Sequence, residues 1–229
     1  ERQMCIRDMM EGVSFAHYGL PWNPSVLFSL GQGFGLAMLS LASTFGIEWV
    51  LGWIHWQSSN WKQLGSVCLP ILLLGLLISG IEELVFRGFL LNELASSGFN
   101  QFFGIPTDII ANPVSTLWIA AAISSAIFAL SHLVWEVQET WPQLLGLWLM
   151  GMVLVLARWV DDGNLGLTWG LHAGWIWGMA SLDSAQLICY TGKGSPWMTG
   201  LAEKPLAGVA GITCMLGTAV VLWILDFGF

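Results

Sequence analysis

Six stretches of this chain, near positions 25–51, 66–94, 115–135, 142–159, 165–187 and 207–226, are mostly apolar and 18 to 29 residues long. About 20 apolar residues in a helix cross the roughly 30 Å hydrocarbon core of a bilayer, so each is long enough to span one. A soluble core helix keeps a polar face at helical period, whereas these stretches are apolar nearly all round. The chain is 55% hydrophobic and 10% charged, against about 25% charged in an ordinary soluble domain. The expected fold is therefore an all-α polytopic membrane bundle of about six hydrophobic helices around a polar cavity.

Tryptophan supports this reading. The chain has 15, and an indole prefers the headgroup region, where its body is apolar and its N–H stays wet. Trp49, Trp53, Trp56 and Trp61 crowd the first connection, Trp135 and Trp141 flank a later one, and Trp159 ends a span. We read them as interfacial anchors. The net charge is −8, with acids gathered in connections (Glu136, Glu139, Asp161, Asp162) or at the N-terminus. Phosphate backbones need a basic surface, so nucleic acid is excluded as a partner. Basic residues set no orientation, because Arg2, Arg7 and Arg158 on one side balance Lys62, Lys193 and Lys204 on the other. Cys5, Cys68, Cys189 and Cys214 show no paired spacing and read as packing residues, not a disulfide framework or zinc site.

Residues 1–24 read as an extramembrane lead-in and 25–229 as one transmembrane domain, since the connections are too short to hold another. The clearest loops are 55–63 and 96–113, "WVDDGNLG" at 159–166 is a tight turn, and 189–205 closes the last long loop. The chain opens on Glu1 and not Met, which reads as a fragment or processed form and leaves room for residues upstream.

Against this background "GIEELVFRGFLLNEL" (80–94) is anomalous, because Glu82, Glu83 and Arg87 follow eleven uncharged residues. Each charge inside a membrane costs several kcal/mol, and such groups are usually functional and face an interior cavity. Glu83 and Arg87 are spaced i, i+4, so on a helix they share a face and can pair; Glu82 points about 100° away and is left free. As one helix, 66–94 would be about 43 Å long, more than the bilayer core, so we expect the charged stretch to begin near a helix end or kink beside Gly80. Two of the four histidines, His132 and His172, also lie in apolar helices. Beside a carboxylate, a histidine forms a general-base arrangement. Gly166, Gly170, Gly174 and Gly178 recur every four residues around His172, a smooth stripe for close helix approach with His172 roughly opposite. Gly31 and Gly35 form a weaker pair of the same kind. The chain lacks HExxH, GxSxG, GxSG and GxGD, and Ser131 and His132 point about 100° apart on a helix, so serine and aspartate mechanisms are excluded.

Glu82-Glu83-x-x-x-Arg87, then Phe128-x-x-x-His132, then His172 resembles the CAAX protease and bacteriocin-processing (CPBP, or Abi) family of intramembrane endopeptidases, over about residues 66–185. The resemblance implies a helical core with a water-accessible cavity, and glutamic-type, metal-independent cleavage of a peptide bond in a membrane-associated substrate, with no cofactor. Glu82 would be the general base, helped by His132; His172 would stabilise the oxyanion; Glu83, Arg87 and Phe128 would support them. The family's third motif reads His-x-x-x-Asn or Asp, whereas this chain has Ile176. Thr168 and the Trp175 indole are candidate replacement donors. Two further readings stay open: a catalytically silent scaffold of the same fold with a membrane-protein partner, and a divalent-metal site or transporter using Glu82, Glu83, His132 and His172 as ligands.

Overall fold

A computed structural model of the protein describes residues 14–21, 23–57, 61–98, 113–134 and 137–227. Most of the lead-in, most of the 96–113 loop, Cys5 and Trp135 lie outside them. Six long helices carry the fold: α1 (Pro24–Val50), α2 (Trp61–Glu83), α3 (Pro113–Ser131), α4 (Leu144–Val160), α5 (Gly166–Ser184) and α6 (Val209–Phe227). Two three-residue strands, β1 (Ile54–Trp56) and β2 (Ile188–Tyr190), pair antiparallel with His55 opposite Cys189. The molecule is an all-α membrane bundle with very little sheet, and an integral membrane protein.

Among the described residues five helical stretches are long and apolar enough to cross a membrane: Pro24–Val50, Lys62–Ser96, Val114–Val134, Val137–Val160 and Val209–Asp226. The sixth expected span is a helix, α5, but falls outside that set. Its glycines, His172 and Asp183 dilute its apolarity, and it is enclosed by protein. It packs on α1, α2 and α4, and most of its residues from Gly166 to Trp175 are buried.

The glycine stripe explains how α5 reaches the centre. A methyl group added at Gly166 would lie 2.6 Å from the Val26 carbonyl oxygen, and one at Gly174 would lie 2.6 Å from the Ala37 Cβ. At Gly170 it would collide with the Leu30 carbonyl. The α1 face contributes Gly33, against Leu167 and Leu171, whereas Gly31 and Gly35 meet open space. The expected Gly31/Gly35 pair is therefore corrected to Gly33, which sits on the buried side of the helix. We expect Gly170→Ala to lower stability by about 1–3 kcal/mol through overpacking. Gly31→Ala, which meets no neighbour, should be neutral or gain up to about 1 kcal/mol of helix propensity. Thermal unfolding of the two variants in one detergent measures the contrast.

The N-terminus of α5 is fixed by Asp161, whose carboxylate accepts from the Ser29 hydroxyl at 2.8 Å and the Leu167 N–H at 3.1 Å. Burial pushes the Asp161 carboxyl up from its ordinary pKa, against the pull of those two bonds. Two indoles clasp α5 to α2: Trp169 donates to the Leu76 carbonyl and Trp177 to the Cys68 carbonyl, each at 2.8 Å. These tryptophans are rivets between helices, unlike Trp49, Trp141 and Trp159, which are exposed as interfacial anchors should be. Cys68, Cys189 and Cys214 are free thiols.

Candidate functional site

The charged stretch does not end or break a helix. The helix runs on from Lys62 to Ser96, and beyond Glu83 it widens into π-helical turns, Leu84–Leu90, with the Leu91 N–H bonded to the Phe86 carbonyl. A π-helical segment keeps the chain helical while rotating the side chains that follow, and such segments recur at functional sites. This one is held from two sides. The Ser124 hydroxyl of α3 donates to the Phe86 carbonyl at 2.8 Å. The Arg158 guanidinium of α4 donates to the Arg87 carbonyl, to Asn92 Oδ1 at 2.9 Å and to the Gly163 carbonyl at 3.1 Å. In the sequence alone Arg158 is an orientation charge. Its position in the last turn of an otherwise apolar helix was the available signal for more.

Glu83, Arg87 and His172 form one buried cluster. Arg87 Nη1 donates to Glu83 Oε1 at 3.0 Å, so the i, i+4 pair expected from spacing is present, with both side chains 1% exposed. The same Glu83 oxygen lies 2.7 Å from His172 Nδ1. A carboxylate only accepts, so Nδ1 carries the donated proton. The other face of the ring meets the free carboxylate, with His172 Nε2 3.6 Å from Glu82 Oε2. Glu82 thus flanks His172, with its side chain 27% exposed. Glu83 Oε2 and Arg87 Nη2 are buried without a hydrogen-bond partner among the described residues.

Phe128 connects this cluster to His132. Its ring is fully buried, lies 4.2 Å beneath the Arg87 guanidinium carbon, and makes edge contacts with His132 at 4.7 Å and His172 at 5.7 Å between centroids. A cation over an aromatic face is electrostatically favoured. His132 begins the single 3-10 turn that ends the α3 helix, and its Nδ1 sits 2.8 Å from the Phe128 carbonyl. A carbonyl only accepts, so Nδ1 donates and Nε2 is the nitrogen with a lone pair. The fold therefore brings Glu82, Glu83, Arg87, Phe128 and His172 into direct contact, while His132 joins them through the Phe128 ring and not through a bond to Glu82.

Of the two candidate replacement donors, Thr168 stands against the Glu83 carboxylate, but its hydroxyl proton goes to the Leu165 carbonyl at 3.0 Å. Trp175 is removed from consideration, because its indole N–H donates to Ser40 on α1 at 3.0 Å. Ile176 packs toward α2, where its Cγ2 would lie 3.3 Å from a methyl group at Gly75. Among the described residues no three His, Cys, Asp or Glu side chains converge as a metal-binding set.

Two carboxylates, a guanidinium and two imidazoles are thus gathered among the helices of a membrane bundle. The family model for the type II CAAX prenyl endopeptidase Rce1-like proteins matches residues 64–178, and the chain belongs to that protease family. The match spans α2 to α5 and contains every residue of the cluster. No curated protein and no solved structure matches the chain.

Proposed function

We propose that the protein is a glutamic-type intramembrane endopeptidase that uses Glu82 to activate water against a peptide bond in a membrane-associated substrate. The observation that carries this reading is the His172 ring held between two carboxylates, 2.7 Å from Glu83 and 3.6 Å from Glu82, inside the region matched by a protease family. Glu82, the more exposed of the two, takes the proton of the attacking water. His132 Nε2, left with its lone pair, serves as a second acceptor for that proton. His172, fixed through Nδ1 by Glu83, presents Nε2 to the oxygen of the carbonyl under attack; protonated there, it stabilises the developing oxyanion. Arg87 neutralises Glu83, so the charge that orients His172 does not compete for the water proton.

The test is cleavage of prenylated CAAX peptides and of membrane-anchored peptides by the full chain in proteoliposomes, with and without a divalent-metal chelator. Chelator-resistant cleavage supports the glutamic reading. Cleavage that stops with chelator and returns with added metal points instead to the metal reading of the same residues.

One observation favours a second reading, a silent scaffold with a membrane-protein partner: Ile176 puts hydrocarbon where the family carries a donor. Ile176→Asn separates the two readings. Since one oxyanion donor is worth about 10²–10³ in kcat, a debilitated enzyme should gain turnover by a factor approaching that range. A scaffold should gain nothing.

A further inference from the structure

A second buried carboxylate stands apart from this cluster. Glu48, in the last turn of α1, is 1% exposed, and neither of its side-chain oxygens has a hydrogen-bond partner among the described residues. On α1 it lies eleven residues beyond Ala37, the residue packed on Gly174 beside His172, or about 16 Å along the helix axis. It lines a cavity of about 610 Å³ between α1 and α6. The α1 wall of that cavity runs from Leu36 through Leu39, Ser43 and Ile47 to Leu51, a stripe of roughly 22 Å at 1.5 Å per residue. On α6 its lining includes Val209, Thr213, Gly217 and Val221, and Gly217 faces open space. Leu39, Ile47 and Val221 are also exposed on the outer surface, so the groove opens sideways toward lipid.

An unbonded, buried carboxyl is costly, and here the macrodipole adds to the cost, since a helix C-terminus disfavours a negative group. What would relieve it is a hydrogen-bond donor of positive charge carried on a long apolar body. We propose that the groove binds a membrane lipid whose headgroup ends in a primary ammonium, with Glu48 accepting the ammonium hydrogens and the acyl chain lying along Leu36 and Leu39. The headgroup end fits a zwitterion. The exposed Lys193 has its Nζ beside Gly52, one residue past the lining residue Leu51, where it can meet the phosphate. Trp53 in the lining and the exposed Trp49 next to Glu48 mark the same end as interfacial.

The distinguishing chemistry is donation. Phosphatidylethanolamine has three N–H donors, whereas the trimethylammonium of phosphatidylcholine has none. The full chain is placed in phosphatidylcholine nanodiscs doped with phosphatidylethanolamine, released into detergent and examined by native mass spectrometry. We expect one phosphatidylethanolamine retained per chain, roughly tenfold above its share of the lipid, the scale of one charge-assisted hydrogen bond. Glu48→Gln should remove that preference, and Gly217→Leu should remove retained lipid of either kind by filling the groove. Equal retention of the two lipids by the natural chain overturns the proposal without reference to any variant. So does a preference that survives Glu48→Gln. A dodecylamine arm tests the source: displacement of the lipid by the amine agrees with a shared ammonium site, and binding of the amine where the phospholipid never binds overturns the lipid assignment.

Discussion

Glu82→Gln should abolish most peptide cleavage, lowering kcat by about 10²–10⁴, the range a general base contributes, with little change in KM. The substitution keeps the shape and removes the base. It also leaves the packing alone, since Glu82 is 27% exposed and approaches His172 no closer than 3.6 Å between Oε2 and Nε2. Thermal stability should therefore stay close to that of the natural chain, and that separates this variant from a change at Glu83. Glu83→Gln removes the anion that binds both Arg87 and His172 at one oxygen, so it should lose activity and stability together. Reconstituted enzyme assayed beside its own unfolding curve gives both numbers. Undiminished cleavage by Glu82→Gln would remove the proposed mechanism altogether.

The parts of this architecture that sequence foretold are those set by local periodicity. Five of the six expected spans appear because apolarity over 18 or more residues is a local property, and the glycine stripe of α5 packs as its four-residue spacing predicts. The Glu83–Arg87 pair follows from i, i+4 geometry alone. The failures all involve long-range packing. The sixth expected stretch is also a helix, α5, but its enclosure by α1, α2 and α4 is set by those helices and not by its own residues. The widened turns after Glu83 depend on Ser124 and Arg158 from two other helices, donors that no reading of residues 80–94 contains. Which histidine meets Glu82 is equally illegible from local spacing, since His172 is 90 residues away in the sequence. Glu48 is equally illegible, because a single acid near a helix end has the pattern of an ordinary interfacial charge, and only packing buries both of its oxygens.

Arg87→Met should destabilise the bundle by about 3–5 kcal/mol, because it strands the Glu83 carboxylate in a site with no water contact. Both partners are 1% exposed, so neither charge can turn to solvent for relief. Glu83→Leu should cost as much by the converse route, leaving a guanidinium with only the Phe128 face beneath it. For a domain of this size each kcal/mol moves Tm by roughly 2–4 °C, so either single variant should melt about 10 °C early in detergent. The double variant Glu83→Leu/Arg87→Met removes both charges and should recover most of that loss, because hydrophobic replacement of a whole buried pair is often neutral. Recovery should stop short by the worth of the His172 bond to Glu83, about 1–3 kcal/mol for a buried polar group left unmatched. The double-mutant cycle would then show a large coupling, while the two variants that lack Glu83 also lose cleavage because His172 has lost its anchor. Single variants as stable as the natural chain would mean that water reaches this pair. In that case the ion pair would not be what makes charge tolerable at this depth, and the reason for its place among the apolar helices would have to be sought in the substrate.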